Sequence, residues 1–146
     1  MKSLLINIIL VLTALTFNVL LTGVFLIYNV VLMFVGFKFL TGLKNLSTYF
    51  YTIAVSLDQY SNVTLYPVLN KFLIKGDNVI LFGNEDDTIS YVIGRNKYKN
   101  SLTKFGKFWA WFLDAVDKNH LDKTIASKIK SDKLAKERLN LNNYKR

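Results

Sequence analysis

The chain has 146 residues, 51% of them hydrophobic, and a formal net charge of +9 at pH 7. It contains no cysteine, which excludes disulfide bonds, thiolate metal sites and cysteine nucleophiles. The positive charge lies mainly in the last third, because residues 94–146 hold 14 Lys and Arg against 5 Asp and Glu.

An uncharged apolar run occupies residues 3–37, with a lysine on each side. A run well above ~18 apolar residues is typical of a transmembrane helix, since a helix satisfies its own backbone amides inside lipid. Extended to residue 40, such a helix is roughly 55 Å long, against a hydrocarbon core of about 30 Å. The sequence therefore predicts one long helix that projects beyond the bilayer, or a helical hairpin that turns at Thr22-Gly23. A cleaved secretory signal fits less well, because the run is too long and no A-x-A site follows.

A polar stripe runs along this segment. Asn7, Asn18 and Asn29 recur every 11 residues, which places them on one helix face, and Gly36 falls close to the same face. Amide side chains in lipid seek hydrogen bonds from a neighbouring helix, and small residues let backbones approach. We interpret the stripe as a helix-association surface; a chance alignment is the alternative.

Three regions follow from these patterns: a transmembrane segment (1–42), a small helical domain (43–126) and a basic C-terminal helix or tail (127–146). The predicted fold class is an all-α membrane protein, with one transmembrane helix or a helical hairpin plus a small helical C-terminal domain. We expect a break at Thr41-Gly42. A second break is expected near Tyr66, because Pro67 disfavours a continuous helix.

An acidic cluster of Glu85, Asp86 and Asp87 comes next. We predict that Asp86 or Asp87 caps a short helix from Thr88 to Gly94, since an acid is favoured at a helix N-terminus. A divalent cation bound by the three carboxylates is the alternative. The residues that follow, 95–100, are predicted to form a basic loop.

The clearest amphipathic helix is capped by Ser101 or Thr103. Its apolar residues recur at helical spacing; they are Phe105, Phe108, Trp109, Phe112, Leu113 and Val116. We expect this face to pack on residues 43–75 as the core of the small domain. A position in the membrane interface is the alternative, as a basic helix rich in Trp and Phe can adopt.

A weaker helix is predicted from Leu121 onward, and it carries most of the basic tail. The candidate contacts for anionic lipid or non-specific nucleic acid are Lys128, Lys130, Lys133, Lys136 and Arg138. Both contacts would be salt-sensitive. The positive-inside tendency puts this end on the cytoplasmic side or on the side that holds nucleic acid.

Catalytic signals are few. The sequence has no G-x-S-x-G, Walker or H-E-x-x-H motif, and His120 is its single histidine. A zinc site would have to combine His120 with carboxylates such as Asp117 and Asp122. We therefore predict that the protein is not an enzyme and holds no metal or cofactor.

Several strings in residues 54–126 resemble a family of small phage and prophage proteins. Those proteins carry a D-Q-x-x-N segment, a G-x-P-D-E-T-I-S motif and a Trp-rich helix that ends in D-x-x-H. The matching residues here are Asp58, Gln59, Asn62, Asp87, Thr88, Ser90 and His120. The chain departs from the pattern at residues 84–86, where Gly/Asn-Pro-Asp is usual, and at Leu121, where a cysteine often follows the histidine. The resemblance implies a phage or prophage origin and no particular reaction, and the N-terminal membrane segment is an addition to the usual unit.

Together these patterns predict a phage-encoded integral membrane protein with a structural or interaction role. It would link a lipid bilayer, either the host inner membrane or a membrane inside the virion, to capsid, genome or another membrane protein, and form homo-oligomers or bind such a partner. Its basic domain would face the cytoplasm or the virion components. The motif residues would fix the fold by capping and hydrogen bonding. A holin-like or lysis-accessory protein is the alternative, and a membrane-tethered hydrolase or nuclease is a minor one.

Overall fold

The computed structural model describes residues 2–35 and 39–143. Within these ranges the chain forms five helices and no strand, which confirms the all-α fold class there. The helices are α1 (Lys2–Phe34), α2 (Phe39–Leu73), α3 (Ile89–Tyr98), α4 (Lys104–Val116) and α5 (His120–Asn143).

The first helix is uninterrupted over its 33 residues. It passes through Thr22 and Gly23, so the predicted hairpin turn at that pair is wrong. The hydroxyl groups of Thr13 and Thr16 each donate a hydrogen bond to the backbone carbonyl four residues earlier, at 2.8 Å. These bonds satisfy the two polar side chains within an apolar helix. The apolar part, Leu4–Leu32, is 29 residues long and none of it is buried against the protein. By length and composition, α1 is a helix that could cross a membrane.

The second helix is continuous through both predicted breaks. It runs 35 residues, across Gly42 and with Pro67 inside it, so the break at Thr41-Gly42 and the break near Tyr66 are both wrong. Pro67 lies on the exposed side of the helix, where solvent reaches the carbonyl that proline leaves without a donor. Asn62 and Asn70, on either side of it, are both held by backbone groups of residues 82–87. Tertiary contacts therefore override the local preference.

The chain divides into two compact units, residues 1–52 and 53–146, and the division falls inside α2. In the first unit, the Asn29 side-chain amide donates to the Tyr49 hydroxyl at 3.4 Å, which links the end of α1 to the start of α2.

The second unit has a small core. Helix α3 packs against both α4 and α5, and α4 packs against α5. The end of α2 joins them through two backbone bonds, from Lys75 to Ser101 at 2.8 Å and from Thr103 to Leu73 at 3.0 Å. The buried apolar side chains are Leu73, Ile74, Phe82, Val92, Ile93, Leu102, Ala110 and Leu121.

Helix α4 faces this core with its small residues, and the prediction that its aromatic face forms the core is wrong. Gly106 and Ala110 are buried, and a Cβ on Gly106 would overlap the Leu73 carbonyl oxygen. Only a glycine allows that approach, so the small side turns inward and the large rings turn outward. Phe105 is 51% exposed and Trp111 is 65% exposed.

Two asparagines hold the segment between α2 and α3 in an extended form. The Asn70 amide accepts from the Phe82 backbone N–H at 2.8 Å and donates to the Phe82 carbonyl at 3.2 Å. Asn96 does the same to Ile80, at 3.0 and 2.7 Å. A side-chain amide has the same donor and acceptor as a peptide unit, so each asparagine takes the place of a neighbouring strand.

Candidate functional site

The residues of the phage-like motifs meet in the second unit, although they are spread over residues 58–120. Asp58 and Asn62 are four residues apart on α2 and thus share a face. They contact the loop before α3 and the first turn of α3 itself. His120, at the start of α5, contacts Ser90 in the same turn. We call Asp58, Asn62, Ser90 and His120 the motif cluster.

Asn62 is fully buried and makes three hydrogen bonds to the loop. Its amide nitrogen donates to the carbonyls of Asn84 at 2.8 Å and Asp87 at 2.9 Å, and its oxygen accepts from the Gly83 backbone N–H at 3.2 Å. Gly83 has φ of +115° and lies against the Tyr66 ring. This conformation needs glycine, and Asn62 satisfies the polar groups that the turn would otherwise leave unpaired. Gln59 adds a weaker bond, to the Asp86 carbonyl at 3.4 Å.

Two residues cap α3. The Thr88 hydroxyl accepts from the Tyr91 backbone N–H at 3.1 Å, so the N-cap is Thr88, and the prediction of Asp86 or Asp87 is wrong. Asp58 reaches across from α2 and accepts from the backbone N–H groups of Ile89 at 3.1 Å and Ser90 at 3.4 Å. A carboxylate at this position satisfies the first free amides and is favoured by the helix dipole.

Helix α3 also extends further than predicted. It continues through Gly94 to Tyr98, which includes most of the predicted basic loop at residues 95–100. Gly94 lies against Leu121 and Ile125 of α5, so this glycine serves close helix packing and does not end the helix.

Ser90 and His120 have the spacing of a nucleophile and a base, with an acid behind them. His120 Nε2 lies 3.3 Å from Ser90 Oγ, and Nδ1 lies 3.3 Å from Asp117 Oδ2. However, Ser90 Oγ donates its proton to Asp58 Oδ2 at 2.8 Å, so it is an acceptor toward His120. Asp58 also occupies the helix amides that would bind an oxyanion. The His120 ring therefore connects the start of α5 to Ser90 of α3 and to Asp117.

Asp87 pairs with a residue of the predicted basic contact set. Its carboxylate is 3.4 Å from Lys128 Nζ, which also lies 3.3 Å from Asp132 and donates to the Asp86 carbonyl at 3.0 Å. Burial opposes the charge of Lys128, but Asp132 and Asp87 outweigh it and raise the pKa of this lysine. Lys128 is therefore engaged within the protein, whereas Lys130, Lys133 and Lys136 are exposed.

The remaining predicted residues have separate positions. Asn7 and Asn18 are exposed on α1, and Asn29 bonds to Tyr49. Gly36 lies outside the described residues, as does the side chain of Arg138. In the described ranges no group of three or more histidines and acids could hold a metal ion.

A second polar junction was not foreseen from the sequence. Asp114 of α4 accepts from Lys97 Nζ at 2.7 Å and from the Leu121 backbone N–H at 3.1 Å, and thereby joins three helices. Burial tends to raise the pKa of Asp114, but these two hydrogen bonds outweigh it, so the pKa lies below 3.8. The bond to Asp114 in turn raises the pKa of Lys97. The signal that the sequence offered was one acid on an otherwise basic and aromatic helix.

Comparisons with protein-family models, with curated proteins and with solved structures gave no match for this chain. The resemblance to phage and prophage proteins therefore stays a prediction that rests on the motif residues.

Proposed function

We propose that the protein is a membrane-anchored structural or interaction protein, in which α1 spans a bilayer and holds the small helical unit beside it. One observation carries the proposal: Leu4–Leu32 is a continuous apolar helix, none of it buried against the rest of the chain. A soluble protein would leave this surface in water at a cost of about 25 cal/mol per Å². Lipid removes that cost.

The non-catalytic part of the proposal is supported by the motif cluster. Asp58 and Asn62 form hydrogen bonds with backbone groups, and the Ser90 hydroxyl donates to Asp58. A residue that caps a helix or closes a turn is already engaged and is not held ready for a substrate. Their role in this proposal is to fix the shape of the unit that α1 anchors.

Alkaline extraction of cell membranes tests the anchor. The full chain should remain in the membrane pellet. Leu15→Lys with Leu20→Lys should release it into the supernatant, because each charge near a helix centre opposes insertion by about 2.5–3.5 kcal/mol. The matched control, Ile129→Lys with Leu134→Lys, places the same charges at exposed positions of α5 and should leave the chain in the pellet. Release of the unaltered chain would overturn the proposal.

The phage-encoded part of the proposal is supported by the motif resemblance alone. If the protein links a membrane to capsid or genome, purified virions of the encoding phage should contain the chain by mass spectrometry. Its absence from particles would remove the virion-structural role and leave a host-membrane role.

A holin-like protein is the second candidate, and the exposed Asn7 and Asn18 of α1 favour it. Amide side chains exposed on a membrane helix favour self-association, which is the step that a pore needs. Induced expression of the chain alone should then collapse the membrane potential, and Asn7→Leu with Asn18→Leu should delay the collapse. An unchanged potential would reject this candidate.

A further inference from the structure

Helix α4 presents a continuous aromatic surface to the outside of the second unit. We call it the aromatic face; it consists of Phe105, Phe108, Trp109, Trp111, Phe112 and Val116, which are 37–73% exposed. Side chains of this size leave roughly 600 Å² of apolar surface, at the upper end of what monomeric soluble proteins expose in one patch. A patch of this size marks an interaction surface.

The rings are held by one another, so the surface is preformed. Trp109 contacts Phe105, Phe108 and Phe112 edge-on, with ring centroids 6.1, 6.0 and 5.7 Å apart. Phe108 and Trp111 are 6.0 Å apart. Little side-chain freedom remains to be lost when this surface binds.

The charges around the aromatic face are positive. Lys104, Lys107 and Lys118 are exposed along the helix and at its end. The two nearby acids have cationic partners: Asp114 pairs with Lys97 at 2.7 Å, and Asp117 pairs with Lys123. The face therefore offers apolar rings with a basic edge, which is complementary to an anionic partner.

A cavity of about 370 Å³ opens beside Trp111, between the end of α3 and the start of α4. Its polar lining residues are Lys97, Asn100, Lys107 and Asp114, and Trp111 lines it as well. Lys97 is paired with Asp114, so the Lys107 ammonium group and the Asn100 amide beside an aromatic ring are the groups that match a phosphodiester headgroup at the boundary with its acyl chains.

We propose that the aromatic face inserts into the interfacial region of an anionic phospholipid bilayer, with the lysine edge at the phosphates. The inference rests on the proposed function, because α1 is what brings the chain to a bilayer. A second copy fits less well, since a symmetric pair would bring the lysines of both copies together. A basic helix rich in Trp and Phe lies about 5–10 Å deep at a bilayer surface.

The chain supplies its own probe for this proposal. It has two tryptophans, and both belong to the aromatic face. The full chain should be reconstituted in vesicles of phosphatidylcholine and phosphatidylglycerol, with and without bromine on the acyl chains near the headgroup. Bromine quenches tryptophan only at short range. We expect a blue-shifted emission that bromination diminishes and that acrylamide in the water quenches poorly.

Two results would overturn the inference. Emission that acrylamide quenches and bromine does not would place the rings in water. Emission protected from both quenchers would mean that protein, such as a second copy, covers the face. Omission of phosphatidylglycerol should weaken the bromine effect, as should Lys104→Gln with Lys107→Gln; equal quenching in every case would remove the role of the lysine edge.

A matched pair of variants separates insertion from folding. Phe108→Ser with Phe112→Ser changes exposed rings and should abolish the bromine effect without changing the helical content by circular dichroism. Ile129→Ser with Leu134→Ser alters equally exposed positions on α5 and should leave it unchanged. Trp111→Phe and Trp109→Phe, each with one remaining tryptophan, should both stay sensitive to bromine, and loss of sensitivity in both would contradict the proposal.

The same vesicles distinguish this inference from the anchor. Alkaline extraction that releases the chain would reject the membrane role of α1. A chain that resists extraction, but whose tryptophans bromine does not reach, would keep the anchor and reject insertion of α4 alone.

Discussion

Asparagine side chains substitute for backbone partners at three places in the second unit. Asn62, Asn70 and Asn96 each bind both an N–H and a C=O group of the segment between α2 and α3. That segment packs Phe82 into the core without pairing to a strand. Buried backbone groups must find partners, so the asparagines make this short fold possible.

Replacement of Asn62 tests this role. Asn62→Ala leaves the Gly83 N–H and the Asp87 carbonyl without their partner and removes one of the two bonds to the Asn84 carbonyl, and we expect a loss of roughly 3 kcal/mol in the free energy of unfolding. Denaturation of the full chain in mild detergent, followed by circular dichroism, measures it. The control, Asn78→Ala, removes an exposed bond to Lys99 and should stay within about 0.5 kcal/mol of the unaltered chain. Equal effects of the two changes would contradict the role given to Asn62.

Polar and aromatic residues recur at a four-residue spacing on the second half of α2. Asp58, Asn62, Tyr66 and Asn70 recur every four residues, on one helix face, and all four contact the loop or the start of α3. The motif resemblance identifies Asp58 and Asn62 but neither Asn70 nor Asn96. Their partners are backbone groups, which have no sequence signature, so the pairing could not be predicted.

At the scale of the elements, helix positions were predictable and helix faces were not. The length of the uncharged apolar run correctly predicted α1, and apolar spacing correctly predicted helices over α4 and α5. The spacing on α4 also predicted that its aromatic face is buried. Amphipathic spacing shows which residues share a helix face, but it does not show what that face contacts. The decisive contact is Gly106 against the Leu73 carbonyl, a single tertiary approach that local pattern does not encode.

Gly106→Ala tests the approach of α4 to the end of α2. The added methyl group meets backbone that cannot rotate away, so we expect a loss of about 3 kcal/mol in the free energy of unfolding. Gly23→Ala is the control, because nothing lies near that position and alanine favours a helix by about 0.5–1 kcal/mol. The comparison is made on thermal unfolding of the full chain; a neutral Gly106→Ala would contradict the packing described for α4.

Asp114 makes the stability of the junction between α3, α4 and α5 dependent on pH. Its pKa in the folded protein lies below 3.8, so its contribution to stability is present above about pH 4 and is lost as the pH falls through the folded value. Asp114→Asn should lower stability at neutral pH and reduce the decline as the pH falls below about 4. Urea unfolding across this range measures both, with Glu85→Gln at an exposed acid as the control. An undiminished decline in Asp114→Asn would show that other acids carry it.

At the scale of the whole molecule, two features stand out: an apolar helix with no buried residue in Leu4–Leu32, and a small helical unit with a basic, aromatic exterior. Composition predicted the first feature directly. The second needed the structure, because Lys128 is engaged by Asp87 and Asp132 whereas the lysines around α4 border exposed rings. The surface around α4 is therefore a candidate contact site in addition to the C-terminal tail, where Lys130, Lys133 and Lys136 are exposed and the predicted contacts stay a prediction.

The absence of cysteine in the natural chain permits the measurement that tests the central claim most directly. Single cysteines at Leu12, Leu20, Lys118 and Lys133 are labelled in intact cells and in inverted membrane vesicles with a maleimide that does not cross membranes. Leu12→Cys and Leu20→Cys should react only after detergent is added. The positive-inside tendency predicts that the basic end faces the cytoplasm, so Lys118→Cys and Lys133→Cys should react in inverted vesicles and not in cells. Labelling of α1 positions without detergent would contradict a membrane-spanning α1.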